Sequence, residues 1–162
     1  MFGRGAEEIQ YLKAAGIETE EIPGISSAIA VPAMAGIPVT HRDVSRSFSI
    51  ITGHTSGDVK DGEKTLHADI RNSAAMDGTC VYLMGLTHLK EIADTLMKEG
   101  KSENTPAAVI SGGFDGTYKA VRGTLKDIVE KTAKEGIQSP AVIVTGDTVT
   151  VSYTHLRAHE TS

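Results

Sequence analysis

Three features of the sequence predict a layered α/β domain. Uninterrupted apolar runs recur at residues 80–84, 107–110 and 141–144, segments with a single apolar face lie between them, and the same Lys-Glu-Gly stop closes those segments at 98–100 and 134–136. Continuous apolar runs suit strands buried on both sides, and one-sided helices suit their cover, so a sheet covered on both faces is expected. At 162 residues the chain accommodates one domain, or one and a half, and such a chain buries roughly two-thirds of its unfolded surface.

The elements follow in chain order. Ile9, Leu12 and Ala15 share one face, with Glu7, Glu8 and Lys13 on the wet side, and predict a helix over 3–15 that Gly16 closes. Residues 17–22 alternate as Ile-Glu-Thr-Glu-Glu-Ile and suggest a short strand leading to Pro23-Gly24. A helix begins near Ser26 or Ser27 and is built from Ala28, Ala30, Ala33 and Ala35, with Pro32 early enough to bend it. Its side chains are too small to fill a core, so another helix or a ligand must approach its backbone closely. Residues 47–52 read as a strand ending at Gly53-His54, 55–64 as a polar loop, and 66–76 as a weak helix with Leu66, Ile70 and Ala74 inward. Strand 80–84 precedes a helix whose inner face is Leu89, Ile92, Ala93, Leu96 and Met97, and 107–110 is the return strand. A strand over 118–121 leads to a helix capped by Thr124, with Leu125, Ile128, Val129 and Ala133 inward, and 141–145 completes the sheet. Ligands of such sheets gather beyond strand ends, which directs attention to Gly53-His54, Met84-Gly85, Gly112-Gly113 and Gly146-Asp147.

Composition excludes several partners. A net charge of −5 disfavours nucleic acid and anionic membrane surfaces, and 4% aromatic residues with no Trp leave little for base stacking. No apolar run reaches the ~20 residues of a membrane span, and the N-terminus lacks a basic region followed by an apolar block. The single Cys80 lies in an apolar run and is expected as a buried thiol in a reducing, cytoplasmic compartment.

The residues that could carry chemistry are few. Gly3-Arg4-Gly5 at a helix start offers backbone N–H groups and a guanidinium to an anion; an ordinary helix start with a surface Arg fits equally well. His41-Arg42 suits carboxylates or is a solvated loop, and Ser111-Gly112-Gly113 suits close approach of a ligand or is a tight turn. Met84 at a strand end is more often core than contact. The sequence offers no catalytic triad, paired-cysteine cluster, phosphate loop or metal set, and His155 with His159 lacks a third ligand.

Residues 23–42, Pro-Gly-Ile-Ser-Ser-Ala-Ile-Ala-Val-Pro-Ala-Met-Ala-Gly-Ile-Pro-Val-Thr-His-Arg, closely resemble the central signature of the uroporphyrinogen-III C-methyltransferases, in the tetrapyrrole methylase family. Phe2-Gly3-Arg4-Gly5-Ala6-Glu7-Glu8, Thr52-Gly53-His54, Leu83-Met84-Gly85-Leu86 and Gly123-Thr124-Leu125 are similar to further family blocks in the same order, and the likeness runs from residue 1 to about residue 151.

The resemblance implies a C-terminal α/β/α methylase domain with a mixed sheet over 23–151, preceded at 1–22 by a remnant of the N-terminal α/β domain and the linker. It also implies S-adenosyl-L-methionine as cofactor, uroporphyrinogen III as substrate, precorrin-2 as product and a homodimer. Carried over by position, the cofactor contacts fall on Met1, Ser26, Ser27, Met84 and Gly113, and the substrate side on Arg4, Glu7 and Arg42. Arg4 also matches a catalytic position, where electrostatic stabilisation suits a guanidinium better than proton abstraction. The family pattern starts well upstream, with Gly-rich and Gly-Gly-Asp-Pro turns not found here, so the chain is expected to be an incomplete fragment, inactive alone, with helix 3–15 poorly packed. Phe114 and Tyr118-Lys119 depart from the family's Thr and Gln-Arg. Residues 152–162 resemble the translated read-through of a sequencing adaptor and are expected to be a non-native tail. The alternatives are a sister precorrin methyltransferase and a non-enzymatic ligand-binding or dimerisation module.

Overall fold

Five strands form one mixed sheet in the computed structural model: β1 (Phe48–Thr52), β2 (Thr79–Leu83), β3 (Pro106–Gly112), β4 (Tyr118–Thr124) and β5 (Ala141–Thr145), in spatial order β1-β2-β5-β3-β4. The structure describes residues 5–53, 62–113 and 117–151, excepting the side chains of 62–67. Within these lie α1 (Gly5–Ala14), α2 (Ser27–Met34), α3 (Gly62–Ala74), α4 (Leu89–Lys98) and α5 (Ile128–Lys134), with 3₁₀ turns at Leu86–His88 and Asp147–Thr150. β1 pairs parallel to β2, while β5 runs antiparallel between β2 and β3, and β4 antiparallel to β3. Strands β1, β2 and β3 therefore point one way and β4 and β5 the other.

That topology decides where the helices go. The β1-α3-β2 and β2-α4-β3 crossovers step across the sheet in one sense, and β4-α5-β5 steps back on strands of reversed direction. Reversing strand and step together is a rotation in the sheet plane, so crossovers of one hand leave all three helices on one face. That face is closed by Ile70, Leu89, Ile92, Leu96, Leu125 and Ile128 against Cys80, Tyr82, Val109, Val121 and Ile143. The opposite face presents Val81, Leu83, Ala108, Ile110, Val142 and Val144, and receives Ala28, Val31 and Ala35 of the α2 segment together with Ile37 and Val149. Strands β2, β3 and β5 contribute alternate residues to both layers, as their continuous apolar runs require.

On the closed face the buried Tyr82 and Ser73 hydroxyls pair with each other, whereas the buried Thr132 Oγ1 has no hydrogen-bond partner. The Tyr82 hydroxyl lies 2.8 Å from Ser73 Oγ, which donates to the Ile70 carbonyl at 2.6 Å. Burial raises the Tyr82 phenol and the Cys80 thiol above their ordinary ranges, and Cys80 is the expected buried thiol.

Several expectations are corrected. Residues 17–22 form no strand; Ile17 and Ile22 are exposed, and alternation without a partner strand leaves the backbone nothing to bond. The last helix starts later than Thr124, which ends β4. Asp127 stands at its N-cap and accepts from the Thr124 N–H at 2.7 Å. Ala133 is exposed and Thr132 takes the inward position, since the helix starts at Ile128 and its buried face is set by Ile128 and the residue four later. Helix α3 spans 62–74 rather than 66–76. Helix α1 forms but buries no residue, with Tyr11 78% exposed, in line with the poor packing expected of it. The tail 152–162, with His155 and His159, lies outside the described residues, as does most of loop 55–64.

Candidate functional site

The C-terminal ends of β1, β2 and β3 share one sheet edge with the N-terminal ends of β4 and β5. At this edge the α2 face is uncovered, leaving a cleft of about 720 Å³. This volume lies within the usual range of small-molecule sites. Its walls are Ser27 and Val31 of α2, Leu83 and Met84 at the end of β2, Ile110, Gly112 and Gly113 at the end of β3, and Ser139 to Val142 leading into β5. Of the four loops marked by the strand-end argument, Gly53, Met84-Gly85 and Gly112-Gly113 lie at this edge, and His54 is outside the described residues. Gly146-Asp147 lies at the opposite edge, where the Gly146 N–H donates to the Pro106 carbonyl at the start of β3. The cause is the reversed direction of β5, and the entry segment Ser139-Pro140 supplies the wall instead.

Helix α2 enters the site end-on. Ser26 is extended at φ −87°, ψ 136°, and its hydroxyl accepts from the Ala28 N–H at 3.2 Å, so this oxygen is committed to capping. The Ser26 carbonyl accepts from the Ile29 and Ala30 N–H groups. Ser27, first in the helix, lines the cleft, at the positive end of the helix dipole.

Met84 is the only non-glycine residue with positive φ among the described residues, at +56°, and it is half exposed in the cleft. It is therefore a contact candidate rather than core. Its turn is confined on two sides. A Cβ on Gly53 would lie 2.6 Å from Gly85 Cα, and one on Gly85 would lie 3.0 Å from Ile92 Cδ1. The Gly53 N–H also donates to the Leu83 carbonyl at 2.6 Å. Gly113, at φ +134°, lies against α2, where a Cβ would stand 3.4 Å from Met34 Sδ. The small residues of this region thus let protein backbone and side chains approach closely beside the cleft.

Ser27, Met84 and Gly113 come together in the cleft, with Ser26 one residue behind. Arg42 does not join them: it is exposed on the tight loop 41–45, where the His41 N–H donates to Ser45 O at 2.7 Å and His41 Nδ1 accepts from the Asp43 N–H. Glu7 lies in the first turn of α1, away from the cleft lining. Met1 and Arg4 lie outside the described residues. Sequence reasoning missed Ser139 and Pro140, because only the antiparallel insertion of β5 brings them to this edge.

Every described lining residue is uncharged, with hydroxyls from Ser27, Thr87 and Ser139 among apolar groups and exposed backbone. No three metal-ligating side chains cluster among the described residues, and no described helix is long and apolar enough to cross a membrane. The cleft can hold and orient a ligand of nucleoside size, and among the described residues no lining side chain can act as an ordinary general base.

Residues 1–129 match the family model of tetrapyrrole (corrin/porphyrin) methylases. The chain is 47% identical over 152 residues to a uroporphyrinogen-III C-methyltransferase of Methanocaldococcus jannaschii, covering 93% of this chain and 60% of that protein. It is similar to the crystal structure of a uroporphyrin-III C-methyltransferase from Thermus thermophilus complexed with S-adenosyl homocysteine, at TM-score 0.74 and 28% identity, covering 92% of this chain and 62% of that one. A cobalt precorrin-4 methyltransferase of cobalamin biosynthesis is similar at TM-score 0.77 and 26% identity, covering 92% and 60%. The chain thus spans about 60% of the length of these proteins.

Proposed function

The chain belongs to the tetrapyrrole methylase family, and from that premise we propose that it forms the larger part of an S-adenosyl-L-methionine-dependent uroporphyrinogen-III C-methyltransferase, whose product is precorrin-2. The observation that carries this reading is the uncharged cleft where Ser27, Met84 and Gly113 converge, three positions that the resemblance assigns to the cofactor. Methyl transfer from a sulfonium needs the methyl held in line with a pyrrole carbon, and proximity with orientation supplies most of that acceleration. A cleft whose described lining carries no charged side chain suits such a task.

In this reading the adenosine and methionyl groups lie along Gly113 and Met84 against Val31, Ile110 and Val142. The α2 N-terminus with Ser27 meets the methionyl carboxylate, and Ser26 acts through its cap and backbone. Met1 completes the cofactor side. The polycarboxylate substrate is held by Arg42, Arg4 and Glu7, with Arg4 also stabilising developing charge. Relatives at 40–47% identity that are named uroporphyrinogen-III methyltransferases support uroporphyrinogen III as the substrate rather than a later corrin intermediate. A boundary near Pro23, a homodimer and a cytoplasmic location belong to the same reading.

Calorimetric titration with S-adenosylhomocysteine tests it, using this chain and a version extended at its N-terminus by the corresponding segment of the M. jannaschii relative. Binding by the extended form, weaker or lost in the chain alone, is expected. Tight binding by the chain alone, with methyl transfer by neither, would support a non-enzymatic ligand-binding module; no binding by either would remove the proposal.

A further inference from the structure

Helix α2 is a wall of the cleft, yet little in its own sequence fixes it in place. It is eight residues long and buries only Ala28, Val31 and Pro32. Pro32 removes one backbone donor from its middle, and helices this short are marginal without tertiary support. Its C-terminal end, however, is tied across the molecule. Arg122, on the edge strand β4, donates from Nη2 to the Ala35 carbonyl at 2.6 Å. Ala35 is the helix C-cap, where carbonyls lack intrahelical donors and the dipole is negative, so a guanidinium there both completes a hydrogen bond and opposes the dipole.

We propose that Arg122 is a positioning residue for the cleft: its guanidinium clamps the C-terminal end of α2 to the sheet and thereby fixes Ser27 and Val31 at the ligand. The geometry favours transmission along the helix, because Met34 and Val31 of α2 also lie against Gly113 on the far wall, at 3.4 and 3.8 Å from where a Cβ would stand. Loosening the tie frees both walls at once. The placement of the clamp follows from the pairing of β3 with β4, where Arg122 stands opposite Ala108, a residue of the layer that α2 covers.

The role of the clamp in ligand binding rests on the cofactor reading above, whereas its hold on α2 does not. Hydrogen–deuterium exchange on the ligand-free chain reads that hold directly. Arg122→Gln is expected to speed exchange across residues 27–37 by about tenfold, while β3 amides over 106–112 stay protected and Arg122→Lys recovers most of the protection. Unchanged exchange over 27–37 in Arg122→Gln would overturn the proposal. Titration with S-adenosylhomocysteine, in whichever form binds it, is expected to show about tenfold weaker binding for Arg122→Gln, with Lys134→Ala on α5 as an unaffected control. Faster α2 exchange with unaltered affinity would overturn the link to the cleft. Failure of the unsubstituted protein to bind at all would instead count against the cofactor reading, leaving exchange as the test of the clamp.

Discussion

The two faces of the sheet are built from the same strands but differ in what covers them. On one, α3, α4 and α5 bring large aliphatic side chains that interdigitate with Tyr82, Val109 and Ile143. On the other, α2 brings alanines and one valine, and part of the sheet stays open. The closed face follows the density rule for interiors, while the open face gives up burial for a space that a ligand can occupy. Stability and binding are therefore expected to separate by face.

The largest effect should come from the closed side. Leu96→Ala leaves a cavity where Leu96 is 1% exposed and should cost about 3 kcal/mol in urea denaturation. Val31→Ala should cost about 1 kcal/mol, because one side of the residue already faces the cleft. Equal losses would erase the contrast. Next comes the hinge between the faces: Gly53→Ala drives a Cβ into the Gly85 backbone and should destabilise by about 2 kcal/mol while displacing the Met84 turn. Full stability in that variant would show that the two strand ends move apart freely.

Alkaline pH probes the closed side without a cavity. The folded Cys80 thiol titrates above its ordinary value, so the unfolded chain loses this proton first; stability is intact below the unfolded thiol range and declines above it. The decline attributable to Cys80 should begin as pH rises through the unfolded thiol range, roughly pH 8.5, and end once the folded thiol titrates, and Cys80→Val should remove that share, read by denaturation at pH 7 and pH 10.

Smaller effects on the fold are expected around α2 and its loop. Ser26→Ala removes a cap and should cost about 1 kcal/mol, whereas Ser27→Ala should leave the melting temperature nearly unchanged and weaken S-adenosylhomocysteine binding. A reversed ranking would reassign the capping oxygen. Arg42→Ala, on an exposed loop, should leave stability alone and weaken substrate by about tenfold, with little effect on the cofactor. Equal losses of both ligands, measured by calorimetry on the extended version, would remove Arg42 from the substrate side.

Much of this was legible beforehand where local chemistry decides. The Leu89, Ile92, Ala93 and Leu96 face of α4 and the runs that became β2, β3 and β5 were readable because period and burial coincide there. The start of α5 was less so, because Thr124 and Asp127 are both good caps and their separation of three residues lets either serve; the β4 ladder kept Thr124. The false strand at 17–22 shows the same limit from the other side: alternation fixes a face only when a neighbouring strand exists to pair with it.

The sequence by itself determined the α/β class and the small-residue helix, and its family resemblance grouped Ser27, Met84 and Gly113, which the tertiary structure brings into one cleft. Only the tertiary structure decided that β5 runs backwards between β2 and β3. That single reversal sends Gly146 to the far edge and brings Ser139-Pro140 to the near one. It also decided that α3, α4 and α5 share one face and that Arg122 reaches Ala35 across 87 residues of chain. The reason is physical: propensity, periodicity and capping are short-range and written residue by residue, whereas strand direction and order are set by non-local pairing, to which an apolar run such as 141–144 is equally suited in either direction.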